Sequence, residues 1–524
     1  MSANLARGAG RREWMGLAVL SLACLLLAMD LSVLYLAVPQ LSADLEPSSA
    51  QLLWIVDIYG FLLAGFLITM GSLGDRIGRR RLLLIGAGAF GAASVIAAFS
   101  TSAEMLIAAR ALLGVAGATL MPSTLSLIRN MFHDPGERTK AISVWAMSLS
   151  LGGAIGPLIG GALIELFWWG SVFLIAVPVV ALLLIAGPRL LPEFRNPNAG
   201  PLDLVSAALS LVAVLAVTYG LKLAAENGVE PAAALTVLAG IVLSWVFVRR
   251  QRKLSDPLID LALFREPAFS VSVATNTFGL FAFIGFGLFT AQFMQLVLGL
   301  SPIKAGLMEL LAFSGLIAGA VLAPLFVRRV RPAYVMGIGL TVSAIGFAIL
   351  TQVEASTGLA FVVFGAFVFS AGYGPVFTLA NDLIVGTAPP ERAGAASSIS
   401  ESGTELGGAL GVAILGSVGT AIYRSQMDGD VPAGTPTDAA DAARDTLGGA
   451  VGARDLLPEG FLDAANHAFT QGFQVAAAIS AVAMLALAIL VMAYLREERA
   501  EPEPEPATEP DRGSPSAAAA AVEG

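Results

Sequence analysis

GSLGDRIGRRR, residues Gly71 to Arg81, is the one dense polar, glycine-rich and basic run in an otherwise apolar N-terminal half. It joins two apolar segments, 51–72 and 82–100, each long enough to cross a bilayer as a helix. Four arginines in so short a loop indicate that it lies on the cytoplasmic side, because cytoplasmic loops carry an excess of arginine and lysine. This assignment orients the rest of the predicted chain.

The composition of the 524-residue chain is that of a polytopic membrane protein. Apolar residues make up 56% and charged residues only 13%, whereas about a quarter of the residues of a soluble domain are charged. The single cysteine, Cys24, excludes an intrachain disulfide. The net charge of -9 comes from acidic loops and an acidic tail, so we expect no nucleic-acid partner.

Fourteen apolar segments of about 20 residues or more are predicted to be membrane-spanning helices. They are 14–38, 51–72, 82–100, 104–128, 141–164, 168–188, 202–222, 232–249, 269–299, 304–327, 333–352, 358–386, 394–422 and 470–495. With both termini in the cytoplasm, 24 of the 30 arginines and lysines fall on the inner side and Arg110 lies within the fourth span. Only Lys222, Lys304, Arg424, Arg444 and Arg454 fall outside. We therefore predict a multi-pass protein of the bacterial cytoplasmic (inner) membrane.

An internal repeat divides the chain. LGGAIG at 151–156 and LGGALG at 406–411 lie 255 positions apart, so the fifth and thirteenth spans are predicted equivalents. The domains expected from this repeat are a cytoplasmic N-terminus (1–13), two six-helix bundles (14–188 and 269–495) and two inserted helices between them (202–249). The second bundle contains a polar external loop (423–469) with short helices near 437–447 and 460–468, and a disordered cytoplasmic tail (496–524) follows it.

Ionisable residues within membrane spans cost roughly 2.5–3.5 kcal/mol on insertion scales, so they are candidates for function. Asp30 lies in the middle of the first span, and Asp57 lies one and a half turns into the second. The alternative interpretation of both is a structural ion pair or a side chain that reaches the interface. Arg110 is an isolated buried cation, for which we expect an acidic partner in the N-terminal half.

Two glutamates of the thirteenth span, Glu401 and Glu405, are four residues apart and share one helical face. Glycines 403, 407 and 411 lie on the opposite face, where they would pack closely on a neighbouring helix. Two carboxylates so close repel one another when both are ionised, which favours uptake and release of a proton. A solvated position for Glu401 near the surface is the alternative, and Glu309 fits the cavity and the interface equally well.

Motifs of several enzyme classes are absent from the sequence. It contains no GxxxxGK[ST] phosphate-binding loop, no HExxH or CxxC metal pattern and no GxSxG serine elbow. We therefore expect neither an enzyme nor a bound metal or cofactor.

The opening loop resembles the cytoplasmic signature between helices 2 and 3 of the major facilitator superfamily. Three stretches are similar to its drug-exporting branches: LLLAMDLSVLYLAVPQL (25–41), IAARALLGVAGATLMP (107–122) and LGGAIGPLIGG (151–161). With WIVDIYG (54–60) and fourteen spans, the chain resembles the QacA-like and SmvA-like exporters of quaternary ammonium compounds and dyes.

The resemblance implies roles for individual residues. Asp30, Asp57 and Glu401 match acidic positions used for protonation or cation recognition, and Arg110 matches the helix-4 arginine linked to proton coupling. In the loop, Asp75 and Arg79 match residues that latch the cytoplasmic side when the transporter faces outward. The roles of Glu405 and Glu309 rest on the physical argument alone.

The sequence thus predicts a monomeric antiporter that uses the proton motive force to export lipophilic, mainly cationic compounds. The predicted proton-coupling residues are Asp30, Arg110 and Glu401. The predicted substrate-binding residues are Asp30, Trp54, Asp57, Tyr59, Glu309, Glu401 and Glu405, and Phe286 and Phe289 are aromatic candidates that could equally serve packing. The predicted gating residues are Gly71, Asp75, Arg76, Gly78, Arg79, Gly152, Gly156, Pro157 and Gly160.

Three other functions remain open at this point. One is an exporter dedicated to a single endogenous metabolite or antibiotic, and another is a nutrient symporter, which the glycine-proline motif of the fifth span disfavours. The third is a membrane receptor or scaffold that uses the external loop and transports nothing.

Overall fold

The computed structural model describes residues 9–195, 203–227, 230–254, 257–387, 393–427, 436–458 and 460–495. Within these ranges nearly every residue is helical, and fourteen helical segments are long and apolar enough to cross a membrane. The all-helical fold class and the number of spans are therefore confirmed. The predicted tail, 496–524, and most of the predicted N-terminal segment, 1–8, lie outside the described residues.

The helices follow the predicted spans with shifts at their ends. The N-terminal bundle contains α1 (Arg11–Leu45), α2 (Ser49–Ile77), α3 (Arg79–Ala98), α4 (Ala103–Met131), α5 (Pro135–Leu166), α6 (Ser171–Leu174) and α7 (Ala176–Leu190). The inserted pair is α8 (Leu204–Asn227) and α9 (Pro231–Gln251). The C-terminal bundle contains α10 (Pro267–Gln292), α11 (Pro302–Val327), α12 (Pro332–Leu350), α13 (Leu359–Gly386), α14 (Ala393–Met427) and α17 (Phe461–Tyr494), with α15 (Thr437–Asp445) and α16 (Leu447–Gly452) between the last two. Helices α6 and α7 together form the sixth span.

Local chemistry sets the ends of α2, which leads into the basic loop. At its start, the Ser48 hydroxyl accepts a hydrogen bond from the Gln51 backbone N–H at 3.2 Å, and the Gln51 side chain accepts one from the Ser48 N–H at 2.9 Å. At its end, Gly78 has φ = 109°, a conformation that glycine alone adopts without strain. The chain therefore turns sharply there and α3 begins at once.

The predicted boundaries of the external loop and of the seventh span were wrong. The external loop is shorter than the predicted 423–469, because α14 continues to Met427 and α17 already begins at Phe461, so the predicted short helix at 460–468 is the first part of α17. Helix α8 likewise continues beyond the predicted end at Lys222 to Asn227. In each case polar residues lower the hydropathy near the helix end without interrupting the helix.

Helix packing repeats in the two bundles. Helix α5 packs on α1, with Gly152 against the Leu25 carbonyl, and α14 packs on α10, with Gly407 against the Thr277 carbonyl. The two glycines occupy the same position of the repeated sequence motif, and a side chain at either would collide with backbone. The predicted glycine faces are therefore packing faces.

The bundles meet along two helix pairs, α5 with α11 and α2 with α14. Gly161 approaches the Pro302 carbonyl, the Ile303 N–H donates to Glu165 Oε2 at 3.3 Å, and Arg424 Nη1 donates to Ser49 Oγ at 3.4 Å. All of these contacts lie at the end of the molecule remote from the basic loop. We call the end with the basic loop the arginine-rich end and the other the opposite end.

Two further packing relations position the site. Helices α4 and α13 pack mainly within their own bundles, so they do not add to the joint between them. The inserted helix α8 packs against α2 of one bundle and α14 of the other, and α9 packs on α8. Helix α8 therefore lies beside the joint between the bundles.

Candidate functional site

The first buried charge pair lies within the N-terminal bundle. Arg110 on α4 donates from Nη1 to Asp30 Oδ2 on α1 at 2.6 Å, and from Nε to the Ile55 carbonyl at 3.2 Å. The Arg110 and Asp30 side chains are 1% and 8% exposed, and the Tyr59 ring centre lies 4.6 Å from the guanidinium carbon. Asp30 is thus the acidic partner expected for Arg110. A cavity of about 10 Å³, close to the space that one water molecule needs, adjoins Asp30.

The second buried pair joins the N-terminal bundle to the inserted helices. Lys222 Nζ on α8 lies 2.9 Å from Asp57 Oδ1 and 2.8 Å from Asp57 Oδ2 on α2, and both side chains are almost fully buried. The same Nζ lies 3.7 Å from the centre of the Trp54 ring. Asp57 and Trp54, two predicted substrate-binding residues, therefore surround an ammonium group of the protein itself.

The sequence prediction ended the seventh span at Lys222 and counted this residue with the outer loops, which is wrong because α8 continues to Asn227 and the Lys222 side chain is only 2% exposed. The misplacement followed from ending the seventh span at this residue. One signal could have corrected it: no glycine or proline interrupts residues 221–227, so the helix was free to continue for more than a turn and to bring Lys222 inside.

Three glutamates of the C-terminal bundle are arranged differently. Glu309 on α11 has a buried Oε1 without a hydrogen-bond partner among the described residues. Glu401 and Glu405 are half-buried on the face of α14 that does not carry the glycines. None of the ion pairs in the described part of the chain includes any of the three.

These glutamates face the N-terminal bundle. Glu309 and Glu405 both lie within electrostatic range of Tyr35 on α1, and Glu405 also lies within this range of Tyr59 on α2. Glu401 lies within the same range of Cys24 on α1. The structure therefore brings the predicted carboxylates of both bundles to one region between them.

The buried charges of this region do not balance. Among the described residues of this region, five buried or half-buried carboxylates (Asp30, Asp57, Glu309, Glu401 and Glu405) accompany two buried cations (Arg110 and Lys222), an excess of three negative charges when all are ionised. In a medium of low dielectric constant, such an excess favours the binding of protons or of cationic ligands.

The aromatic candidates separate into two groups. Trp54 and Tyr59 lie against the ammonium of Lys222 and the guanidinium of Arg110. Phe286 is fully buried, and its ring centre lies 4.8 Å from that of Phe473, within a cluster that also includes Phe289. Packing is therefore the role that the structure gives to the two phenylalanines.

The basic loop is tied to the segment that follows α7. Asp75 and Arg79 form an ion pair at 2.6 Å, and the Arg79 backbone N–H donates to the Phe194 carbonyl at 3.0 Å. The next residue, Arg80, donates from its backbone N–H to Glu193 Oε1 at 3.1 Å. In this conformation the predicted latch residues therefore stabilise the N-terminal bundle internally.

The remaining gating candidates lie at close helix contacts or at the end of α2. Gly71 approaches Pro122 on α4, Gly156 approaches Ser32 and Met29 on α1, Gly160 approaches Val33, the Pro157 carbonyl faces Gly306 on α11, and Arg76 lies in the last turn of α2. The gating role of these residues stays a prediction.

Comparison with known proteins gives a family and several relatives. Residues 20–412 match the Major Facilitator Superfamily. The chain is 45% identical over 485 residues to the multidrug efflux pump LfrA of Mycolicibacterium smegmatis. The aligned region covers 92% of this chain and 96% of LfrA. It is 37% identical over 490 residues to the methyl viologen resistance protein SmvA of Salmonella typhimurium, covering 91% of this chain and 97% of that protein.

A solved structure shares the fold. A bacterial homologue of the human lysosomal transporter Spinster, in an inward-facing and unoccupied conformation, superposes with a TM-score of 0.63 at 19% sequence identity. The superposition covers 95% of this chain and all of that one. At this identity the likeness concerns the arrangement of helices.

Proposed function

Because this chain belongs to the Major Facilitator Superfamily, we propose that it is a multidrug exporter that couples inward proton movement to outward movement of lipophilic cations. Its membership makes it a transporter and not an enzyme, and its fourteen spans make it a multi-pass protein of the bacterial inner membrane. The observation that carries the proposal is the set of three glutamates without ion-pair partners among the described residues, which face a bundle whose own carboxylates are neutralised.

The proposed mechanism is mutually exclusive occupancy. An ionised Glu401 or Glu405 attracts a lipophilic cation, whereas a protonated carboxyl has no charge with which to hold it. Protonation therefore releases the cation, and loss of the proton prepares the site for the next one. Energy comes from the proton motive force, so no cofactor is needed, and one chain contains the whole site.

The arrangement of the bundles supports loading from the arginine-rich end. The contacts that join α5 to α11 and α2 to α14 close the opposite end, while α4 and α13 pack mainly within their own bundles. We assign the arginine-rich end to the cytoplasm, because loops rich in arginine remain there. An exporter that loads from this end collects its substrate from the cell interior and from the inner leaflet.

The relatives support the choice of substrate class. LfrA is named a multidrug efflux pump and SmvA a methyl viologen resistance protein, and both match this chain over nearly all of its length. Methyl viologen is itself a dication, for which an excess of buried carboxylates is a suitable environment.

The test is ethidium transport by the full-length protein in liposomes with an imposed proton gradient. We expect ethidium to move against its concentration gradient and a protonophore to abolish this movement. We expect Asp30→Asn to abolish the proton-driven movement at unchanged protein yield, because an amide cannot carry the proton but still offers Arg110 an oxygen. Asp455→Asn, at a carboxylate that is 92% exposed, is the matched control and should transport as the wild type does.

Two results would contradict the proposal. Near-normal proton-driven transport by Asp30→Asn would remove this residue from the coupling machinery. Failure of the wild type to move ethidium or any other lipophilic cation of a panel would favour an exporter dedicated to a single compound.

A further inference from the structure

Asp57 and Trp54 form a complete binding site for an ammonium group. Both carboxylate oxygens of Asp57 lie within 2.9 Å of Lys222 Nζ, and the Trp54 ring covers the same atom at 3.7 Å. A carboxylate and an aromatic face are the two groups that recognise organic cations. The site has the chemistry of a substrate site, but a side chain of the protein fills it.

The occupant comes from outside the two bundles. Lys222 lies on α8, which is otherwise built of apolar and small residues along its membrane span. Next to the joint between the bundles, Val214 and Leu215 of α8 pack with Phe61 of α2 and Ala409 of α14. The lysine is thus held by a helix that contacts both bundles, and its position depends on how they meet.

We propose that Lys222 is a tethered competitor, whose ammonium fills the Asp57–Trp54 site until a lipophilic cation displaces it. The inference rests on the proposed function and adds a specificity-determining residue to it. Without the lysine, an empty site would leave a buried carboxylate unpaired, which is strongly unfavourable. With it, a ligand must replace an ion pair as well as enter the site.

This competition selects among cations. A flat or bulky organic cation contacts the Trp54 ring and the surrounding apolar side chains, and these contacts compensate for the displaced ammonium. A small inorganic cation brings no such contacts and must also lose its water, so the lysine excludes it. The apparent affinity for an organic cation is lowered in proportion to the fraction of time that the site is free.

The test is binding of tetraphenylphosphonium to the purified full-length protein in lipid nanodiscs, measured at neutral and at alkaline pH. We expect Lys222→Met to bind the cation about tenfold more tightly than the wild type does, because the competitor is gone. Lys222→Gln, which keeps a hydrogen-bond donor for Asp57, should also bind the cation more tightly than the wild type does. If Lys222→Met does not fold, Lys222→Gln provides the test instead. Lys304→Met, at an exposed lysine of α11, should bind as the wild type does.

A double variant identifies the site at which the gain arises. We expect Asp57→Asn combined with Lys222→Met to lose the gain, because the carboxylate that the cation would reach is gone. Unchanged or weaker binding by both folded Lys222 variants, with normal binding by the wild type, would make Lys222 a structural partner and overturn this inference alone. Absence of binding by the wild type and every variant would overturn the proposed function as well.

Discussion

The two six-helix bundles share a scaffold but treat buried charge in opposite ways. In the N-terminal bundle, Asp30 and Asp57 hold a cation at 2.6 and 2.8 Å. In the C-terminal bundle, Glu309, Glu401 and Glu405 hold none among the described residues. One bundle is thus electrostatically satisfied at rest, and the other is completed by what it binds. The repeat preserved the way helices pack and left each half free to acquire its own chemistry.

The largest effect on the stability of the protein is expected when the N-terminal bundle loses a buried cation. Arg110→Met leaves Asp30 as an uncompensated buried charge, which costs about 3–5 kcal/mol. We expect a large fall in the thermal unfolding temperature in detergent and a low yield of folded protein. Arg454→Met, at an arginine outside the bundles whose side chain is 65% exposed, is the control. A variant at Arg110 as stable as this control would show that the N-terminal bundle does not depend on the pair.

A second experiment examines what the bundles have in common. Gly152→Ala and Gly407→Ala each place a β-carbon against a backbone carbonyl of the neighbouring helix. We expect each to lower the free energy of unfolding by about 1–3 kcal/mol, the usual effect of overpacking. Gly88→Ala in α3, where a β-carbon meets nothing within 4 Å, should not destabilise. A loss of unfolding free energy in only one of the two variants would contradict the structural equivalence of α5 and α14.

The C-terminal bundle should respond in ligand binding and not in stability. Glu401→Gln removes a charge that pairs with no described residue, so we expect unchanged thermal unfolding. We expect the dissociation constant of a divalent cation such as methyl viologen to rise about tenfold, and that of monovalent ethidium to rise less. Equilibrium binding to the purified protein measures both, with Glu354→Gln, outside the spans, as the control. Equal losses for the two ligands would argue against a charge-recognition role.

The smallest effect on stability is expected in the two inserted helices, α8 and α9, which belong to neither bundle. Burial alone would raise the pKa of Asp203, but hydrogen bonds from Ser206 and the ion pair with Arg250 at 2.9 Å outweigh it and lower the pKa. A lowered pKa stabilises the fold above the unfolded-state value of about 3.9, and this stabilisation is lost as the pH falls through the folded-state value.

The matching variant is Asp203→Asn. We expect it to unfold at a slightly lower temperature than the wild type at neutral pH, and the difference to disappear below about pH 4. Thermal unfolding in detergent across this pH range measures it. A difference that persisted at acidic pH would show that the interaction with Arg250 does not depend on the carboxylate charge.

The sequence was sufficient for the scaffold because hydropathy and small-residue spacing are local properties. Spans of apolar residues gave all fourteen helices, and glycines at every fourth position of α14 gave its packing face. The partner of Arg110 could be limited to an acidic residue of the N-terminal half, because a buried cation must be compensated. The sequence could not identify this residue as Asp30, because that depends on how α1 and α4 pack against each other.

The charge arrangement of the site could not be obtained in the same way. Lys222 on α8 and Asp57 on α2 are 165 residues apart, and no local pattern links them. Hydropathy also could not decide whether Glu309 is buried or interfacial, since this depends on how closely α5 covers α11. The role of Phe286 was ambiguous for the same reason. The sequence does not distinguish a phenylalanine that lines a cavity from one that packs in a core.

The two short helices at the opposite end are fastened to different bundles. The Tyr423 hydroxyl of α14 donates to the Ala443 carbonyl of α15 at 2.8 Å, and Gly448 of α16 lies against Ser42 of α1. Only a few residues separate these two attachments, so the bundles cannot part at this end until one attachment releases. In kinetic terms, we expect these contacts to contribute to the activation barrier of each transport cycle. Substitutions here would therefore alter how many molecules are moved per second, while leaving the choice of molecule to the buried charges.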